Sequence, residues 1–203
     1  MKGSAPAETS LDKDGRLPPR ARILAAAGAL FYRHGIRAVG VEAIAEAAGT
    51  NKMTLYRHFA SKDALVAEYL RQFAHAADGC WDRFAHAHPG DPRAQLLAWL
   101  EEMARHLAGP QERGCALANA AIELPEKHHP ARRVIEEYKR AQRTRLVRLS
   151  EEAGLSEPEM LADELHLLLE GARVTAQSVG TEGLAARLLH MGKAMIAAHT
   201  PRH

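Results

Sequence analysis

Residues Gly49 to Leu65, GTNKMTLYRHFASKDAL, decide the fold. A glycine turn leads into a very short helix whose outward residues are hydrogen-bond donors and a phenol. Just upstream, Val41 to Ala48 (VEAIAEAA) predicts another short helix, with Ile44, Ala45 and Ala48 at helical spacing. Two short helices joined by a glycine-containing turn make a helix-turn-helix, whose second helix enters the DNA major groove. Asn51 suits the N-cap of that second helix, where its side chain accepts from an otherwise orphan backbone N–H. Leu55 and Phe59, four apart, face inward. Lys52, Met53, Thr54, Tyr56, Arg57 and His58 then face solvent or DNA. Major-groove readout needs donors or apolar tips at the start of the recognition helix, held in place by phosphate contacts. Lys52 and Thr54 lie in its first turn and are the candidates for base edges. Met53 is placed to touch a thymine methyl.

The spacing is more specific than a generic helix-turn-helix. Thr54-Leu55-Tyr56-Arg57-His58-Phe59 is followed by Ser61-Lys62-Asp63-Ala64-Leu65. Upstream stand Ile23-Leu24-Ala25-Ala26-Ala27, Leu30-Phe31, His34-Gly35, Ile44-Ala45 and Ala48-Gly49. Together they closely resemble the signature of the TetR/AcrR transcriptional regulators, densely from Arg20 to Leu65 and by length and helical pattern beyond. The resemblance implies nine helices, a homodimer on a palindromic operator in double-stranded DNA, and a body that binds a small-molecule effector. It also implies that the last two helices pair with their copies in a second subunit as a four-helix bundle. Thr50, Tyr56, His58 and Lys62 match family positions that hold phosphates. Two positions depart from the pattern. Gly40 stands where the family usually has a hydroxyl touching phosphate. Glu42 would repel phosphate unless it accepts from a cytosine amine.

Composition agrees with an all-α chain. It is rich in Ala and Leu, has 5% aromatic residues, and shows no period-two alternation. The formal net charge of +2 is unevenly spread: residues 1–62 carry 10 Lys/Arg against 5 Asp/Glu (+5), and residues 63–203 carry 17 against 20 (−3). A basic head on a mildly acidic body is the footprint of a protein that offers one end to a polyanion. Cys80 and Cys115 make neither a metal-finger spacing nor a disulfide framework, which suits a reducing cytoplasm. No apolar run approaches a membrane span, and no signal-peptide pattern precedes the first helix. A soluble cytoplasmic protein is expected.

Residues 1–17 read as a polar, disordered arm, 18–62 as the DNA-binding head, and 63–203 as a ligand-binding and dimerisation body. Basic residues Lys13, Arg16 and Arg20 are placed either to enter a minor groove or to form a plain tail. Helix 1 starts at Pro18-Pro19 and ends before Gly35. A long helix from Lys62 to about His86 connects head to body. Breakers then divide the body into helices over Pro92–Ala108, Gly114–Leu124, Pro130–Ala153, Ser156–Val179 and Thr181–Ala198, with Ser156 and Thr181 as caps. Met160, Leu161, Leu165, Leu168, Leu169 and Ala172, with Leu184, Leu188, Met191 and Met195, supply the apolar surface for a dimer bundle.

Within the body, polar groups set among Leu and Ala are the candidates for a pocket. Trp99, Met103 and His106 share a face of the fifth helix, Asn119 and Glu123 one of the sixth, and His166, Glu170 and Arg173 one of the eighth. Cys115, beside Arg113 at a helix start, reads either as a sensing thiol or as a small core residue. The 12 histidines have no coherent partner set, so neither metal nor cofactor is expected. The seven Lys/Arg between Arg132 and Arg148 read as a solvated face. No nucleophile motif, phosphate loop or paired-carboxylate constellation points to an enzyme. The sequence therefore predicts a homodimeric repressor released from its operator by a small molecule. The alternative is a DNA-binding scaffold or activator whose body binds a protein partner and has no pocket.

Overall fold

The computed structural model describes residues 16–109 and 113–201, and among them there are nine helices and no strand. In chain order these are α1 (Pro19–His34), α2 (Val41–Ala47), α3 (Lys52–His58), α4 (Lys62–Ala87), α5 (Pro92–Ala108), α6 (Ala116–Glu123), α7 (Pro130–Glu152), α8 (Pro158–Val179) and α9 (Leu184–Ala198). Proline opens α1, α5, α7 and α8. At that position its missing N–H costs nothing and its fixed φ suits the helix. Ser61 and Asp91 cap α4 and α5, accepting from Ala64 N and Ala94 N.

Two hydrophobic cores organise the chain. The first joins Ile23, Leu24 and Phe31 of α1, Ile44 of α2, Leu55 of α3 and Leu65 and Leu70 of α4. It continues without a break into Leu117 and Ala120 of α6 and Ala131, Val134 and Ile135 of α7. The second is formed by Phe84, Leu96, Trp99, Leu100, Leu146, Leu161, Leu165, Leu169, Leu188 and Ile196. Fully burying a Leu, Ile or Phe side chain contributes about 1.5–3 kcal/mol. α4 touches both cores, so it is a shared strut and not a linker.

The structure corrects several expectations. Ser156 does not cap α8, which starts two residues later with Glu157 at a left-handed φ of 49°. Ser156 N and Oγ both donate to the carbonyl of His199, at 2.8 and 3.0 Å, and the His199 ring returns contacts to Ser156 O and Glu164. The end of α9 is thereby latched to the α7–α8 turn. Thr181 does not cap α9 either. Gly183 takes that place, without a side-chain bond, and Leu184 N donates to the Thr181 carbonyl. Arg20 belongs to α1, with its guanidinium 5.1 Å from the Phe59 ring centre and 3.0 Å from Glu68. That position removes it from any arm, and Lys13 lies outside the described residues. Leu161, Leu165, Leu169, Ala172, Leu184 and Leu188, expected at a dimer surface, are buried within the protomer's own core.

The cationic face of α7 is pinned by its partners. Arg133, Arg140 and Arg148 pair along the helix, while Lys139, Arg143 and Arg145 reach Glu170, Asp163 and Asp78 on neighbouring helices.

The α5–α9 crossing depends on one small residue. A Cβ at Gly192 would lie 2.6–2.7 Å from both methyls of Leu100, a side chain only 1% exposed. Overpacking a full core costs about 1–3 kcal/mol, against a helix-propensity gain of about 1 kcal/mol for Ala over Gly. Gly192→Ala should therefore lower Tm. Gly79→Ala, at an exposed α4 site with nothing within 4 Å, should raise it. Thermal unfolding followed by circular dichroism checks both, and equal shifts in the two variants would disprove the close-crossing explanation.

Candidate functional site

The outward face of the helix-turn-helix is built as the sequence suggests. The backbone turns after α2 through Gly49 N to Glu46 O and Thr50 N to Ala45 O. Asn51 Oδ1 then accepts from Thr54 N at 2.9 Å and caps α3. Leu55 is fully buried and Phe59 is 5% exposed, so α3 is nailed to the head core by one face. The opposite face presents Met53 (76% exposed), half-exposed Tyr56, and exposed Lys52, Arg57 and His58. Thr50, Thr54 and Lys62 are partly buried along the same edge. Asn51 thus spends its carbonyl on holding the helix start.

Two pairings on this face escaped sequence reasoning. Lys52 Nζ sits 2.6 Å from Glu42 Oε1, across the turn from α3 to α2. This hydrogen bond lowers the Glu42 pKa and raises that of Lys52. Glu42 is therefore half of an ion pair on this face and not a free anion. Opposite charges ten residues apart, on consecutive short helices, were the available signal. Arg57 Nη2 donates to Thr54 Oγ1 at 3.3 Å and engages a hydroxyl expected at a base edge. Burial lowers the pKa of Lys62, a cost that a phosphate alongside would offset.

The body contains a cavity of about 400 Å³ between α1, α4, α5, the segment leading into α6, α7 and α8. Its walls include Tyr32, Phe73, Trp81, Trp99 and Tyr138, with Trp81 and Trp99 nearly parallel at 10° and 6.1 Å between centroids. Of the eight residues expected at a pocket, Trp99, Met103, His106 and Arg173 line it. Glu170 stands behind, 2.7 Å from both Arg173 and Lys139. His166 is not in the wall, and among the described residues its buried Nδ1 has no hydrogen-bond partner. Asn119 and Glu123 lie elsewhere, which corrects the expectation. Asn119 Nδ2 donates to the Arg113 carbonyl. Glu123 Oε2 accepts from the backbone of Ile36 at 2.6 Å and of Arg37 at 3.2 Å. Tyr32, Phe73, Cys80, Trp81, Tyr138 and Gln142 were missed, since they come from helices far apart in sequence. Cys115 is buried in the wall, and Arg113, expected beside its thiol, reaches toward Glu123 at 3.8 Å.

Burial governs the ionisation of the cavity's groups. It lowers the His106 pKa, helped by Arg105 and Arg173, which favours the neutral ring. It pushes the Tyr138 phenol up to about 12. For Glu170 burial acts against ionisation, but Lys139 and Arg173 together outweigh it and hold the carboxyl below its ordinary 4.5.

Comparison with known proteins agrees with this architecture. Residues 23–69 match the model of bacterial regulatory proteins of the tetR family. A TetR-family transcriptional regulator from Streptomyces coelicolor superposes with a TM-score of 0.85 at 27% identity, over 90% of this chain and 96% of that one. A TetR transcriptional regulator from Streptomyces avermitilis is 32% identical over 90% of this chain and 98% of its own, with a TM-score of 0.76. The chain belongs to the TetR family. It is also 34% identical, over 110 residues, to the HTH-type transcriptional repressor KstR2 of Mycobacterium tuberculosis. That match covers 54% of this chain, which spans about half (46%) of the length of that curated relative.

In this TetR-family chain the head and the cavity share a border. Tyr32 of α1 lines the cavity and donates its hydroxyl to the Gly114 carbonyl at 3.1 Å. At the other end of α6, Glu123 holds the turn between α1 and α2. That turn needs Gly35, whose φ is 87° and where a Cβ would sit 3.0 Å from a Glu123 carboxylate oxygen.

The Glu170 carboxylate carries a pH prediction. Because its folded-state pKa is depressed, its stabilising effect is complete above the ordinary value of 4.5 and is lost as pH falls through the lower folded value. Glu170→Gln should lower Tm at pH 7 by an amount corresponding to about 1–3 kcal/mol and flatten the acid side of the Tm–pH curve. A variant curve parallel to the native one from pH 7 to pH 3 would refute this assignment.

Proposed function

We propose that this protein is a sequence-specific, DNA-binding transcriptional regulator that acts as a homodimer, with occupancy of the body cavity controlling its hold on a palindromic operator. Repression relieved by a small molecule is the form this control takes. The observation that carries the reading is the α2–α3 unit. One face of α3 is fixed in the core by Leu55, while Lys52, Met53, Tyr56, Arg57 and His58 stand exposed on the other. An α3 of this kind, with donors and an apolar tip at its start, suits the major groove. Thr50, Tyr56, His58 and Lys62 border it as phosphate contacts. The cavity and its border with the head favour a small-molecule effector over a body that serves only as a protein-docking scaffold.

Dimerisation is assigned to the part of α8 and α9 that the protomer's own core leaves uncovered. Met160, Leu167 and Val174 recur every seven residues along α8 and are 55%, 71% and 60% exposed, beside Met191 of α9 at 47%. Large apolar side chains grouped on an exposed helix face offer a surface on which a second copy packs. A two-fold dimer then sets two α3 helices against half-sites about one DNA turn apart or more, roughly 34–36 Å. Among the described residues no helix is long and apolar enough to cross a membrane, and no group of three or more His, Cys, Asp or Glu is placed to hold a metal.

Selection from a pool of genomic fragments at near-physiological salt tests the reading, with one shared palindrome as the expected outcome. Bound DNA without a common motif would contradict it. On the selected operator, Lys62→Ala should weaken all sequences alike and reduce the salt slope by about one unit, whereas Lys52→Ala should change base preference. Equal, salt-independent losses in the two variants would defeat these roles. Leu167→Glu should give a monomer by sedimentation velocity, and a dimer unchanged by this substitution would place the subunit contact elsewhere.

A further inference from the structure

We propose that the cavity takes a flat aromatic molecule bearing one carboxylate and a separate hydrogen-bond donor. The proposal rests on the reading of the cavity as the effector site and names the class of effector.

The charge requirement comes from Arg173. Its guanidinium lies in the wall of the cavity with a side-chain exposure of 17%. Nη1 binds Glu170 at 2.7 Å, but among the described residues Nη2 meets only the Met103 thioether at 3.8 Å, a weak acceptor. Glu170 is shared with Lys139, also at 2.7 Å, so two buried or half-buried cations divide one carboxylate. The cluster carries an excess of one positive charge. Among the described residues no Asp or Glu lines the cavity to balance it. A buried cation with an under-used donor face is a receptor for an anion, and guanidinium matches a carboxylate in geometry as well as charge.

The donor requirement comes from Gln142. It is 3% exposed and lines the cavity, and among the described residues its buried Oε1 has no hydrogen-bond partner. A buried acceptor left unpaired is costly, and a turn of the Gln142 amide toward the cavity would let a hydroxyl or N–H on the ligand complete it. The aromatic requirement comes from the remaining walls. Trp81, Trp99, Tyr32, Phe73 and Tyr138 offer ring faces and edges, and Cys80, Met103 and Cys115 add polarisable sulfur. Both favour a flat π-system over a flexible chain.

The test is calorimetric titration of the full-length protein, without DNA, with 4-hydroxycinnamate, cinnamate and the methyl ester of each. The acids should bind at least tenfold more tightly than their esters. 4-Hydroxycinnamate should exceed cinnamate, and Gln142→Leu should remove that advantage. Arg173→Met should erase the preference for acid over ester. The native acid–ester comparison stands even if that variant does not fold. Esters bound as tightly as acids, or no acid bound at all, would overturn the proposal. The selected operator separates this result from the broader reading. Acids that bind but leave the operator complex intact contradict effector release and leave the ligand class standing. An operator that binds normally while acids and esters are indistinguishable contradicts the ligand class alone.

Discussion

The carboxylate of Glu123 joins the two ends of this protein. It extends from the last turn of α6 and accepts from two consecutive backbone N–H groups, Ile36 and Arg37, in the turn between α1 and α2. Hydrogen bonds to an ionised acceptor contribute about 1.5–3 kcal/mol each, well above the neutral kind. The turn they hold sets how α2, and through it α3, projects from the head. Gly35 is the residue that allows the carboxylate so close, and Arg113 steadies its other oxygen. Loss of this contact would leave the head attached through hydrophobic packing, which is strong but poorly directional.

α6 is well suited to relay a change from cavity to head because it is short and touched from both sides. Its N-terminal approach, Gly114 and Cys115, belongs to the cavity wall, while its C-terminal residue binds the head turn. Leu117 and Ala120 between them are completely buried in the head core. A ligand shifts an equilibrium only through different affinities for its two states. A ligand that displaces the Gly114 carbonyl from Tyr32 would act on α6 directly, and α6 cannot move without moving Glu123. The ionic cluster of Lys139, Glu170 and Arg173 lies on α7 and α8, and Gly114 packs against Gln177 of the same α8.

Much of this was legible in the sequence, for identifiable reasons. The helices announced themselves through proline at their first positions and glycine or proline at their ends. Four-residue spacing places Leu55 and Phe59 on one face, which marks both as anchors. Interactions that cross the fold were not legible. Glu123 looked like a pocket residue because its neighbours are Ala and Ile, and only the folded chain reveals the N–H groups of residues 36 and 37 beside it. Ser156 and Thr181 have the right chemistry for caps, but Ser156 is drawn away by the His199 carbonyl and α9 begins three residues beyond Thr181. The cavity walls are drawn from five helices and the approach to a sixth, so periodicity within any one of them identifies a few members. The split of α8 between core and exposed surface followed the same rule: its several apolar faces were visible, while their allocation was set by α7 and α9.

Amide hydrogen exchange of Glu123→Ala against the native protein tests most directly whether this carboxylate holds the head to the body. Loss of protection at Ile36 and Arg37, with the amides of α3 and α8 unchanged, is the result expected from the geometry. Native-like protection at both amides in the variant would contradict it, and the link between head and body would then have to reside in the hydrophobic core alone.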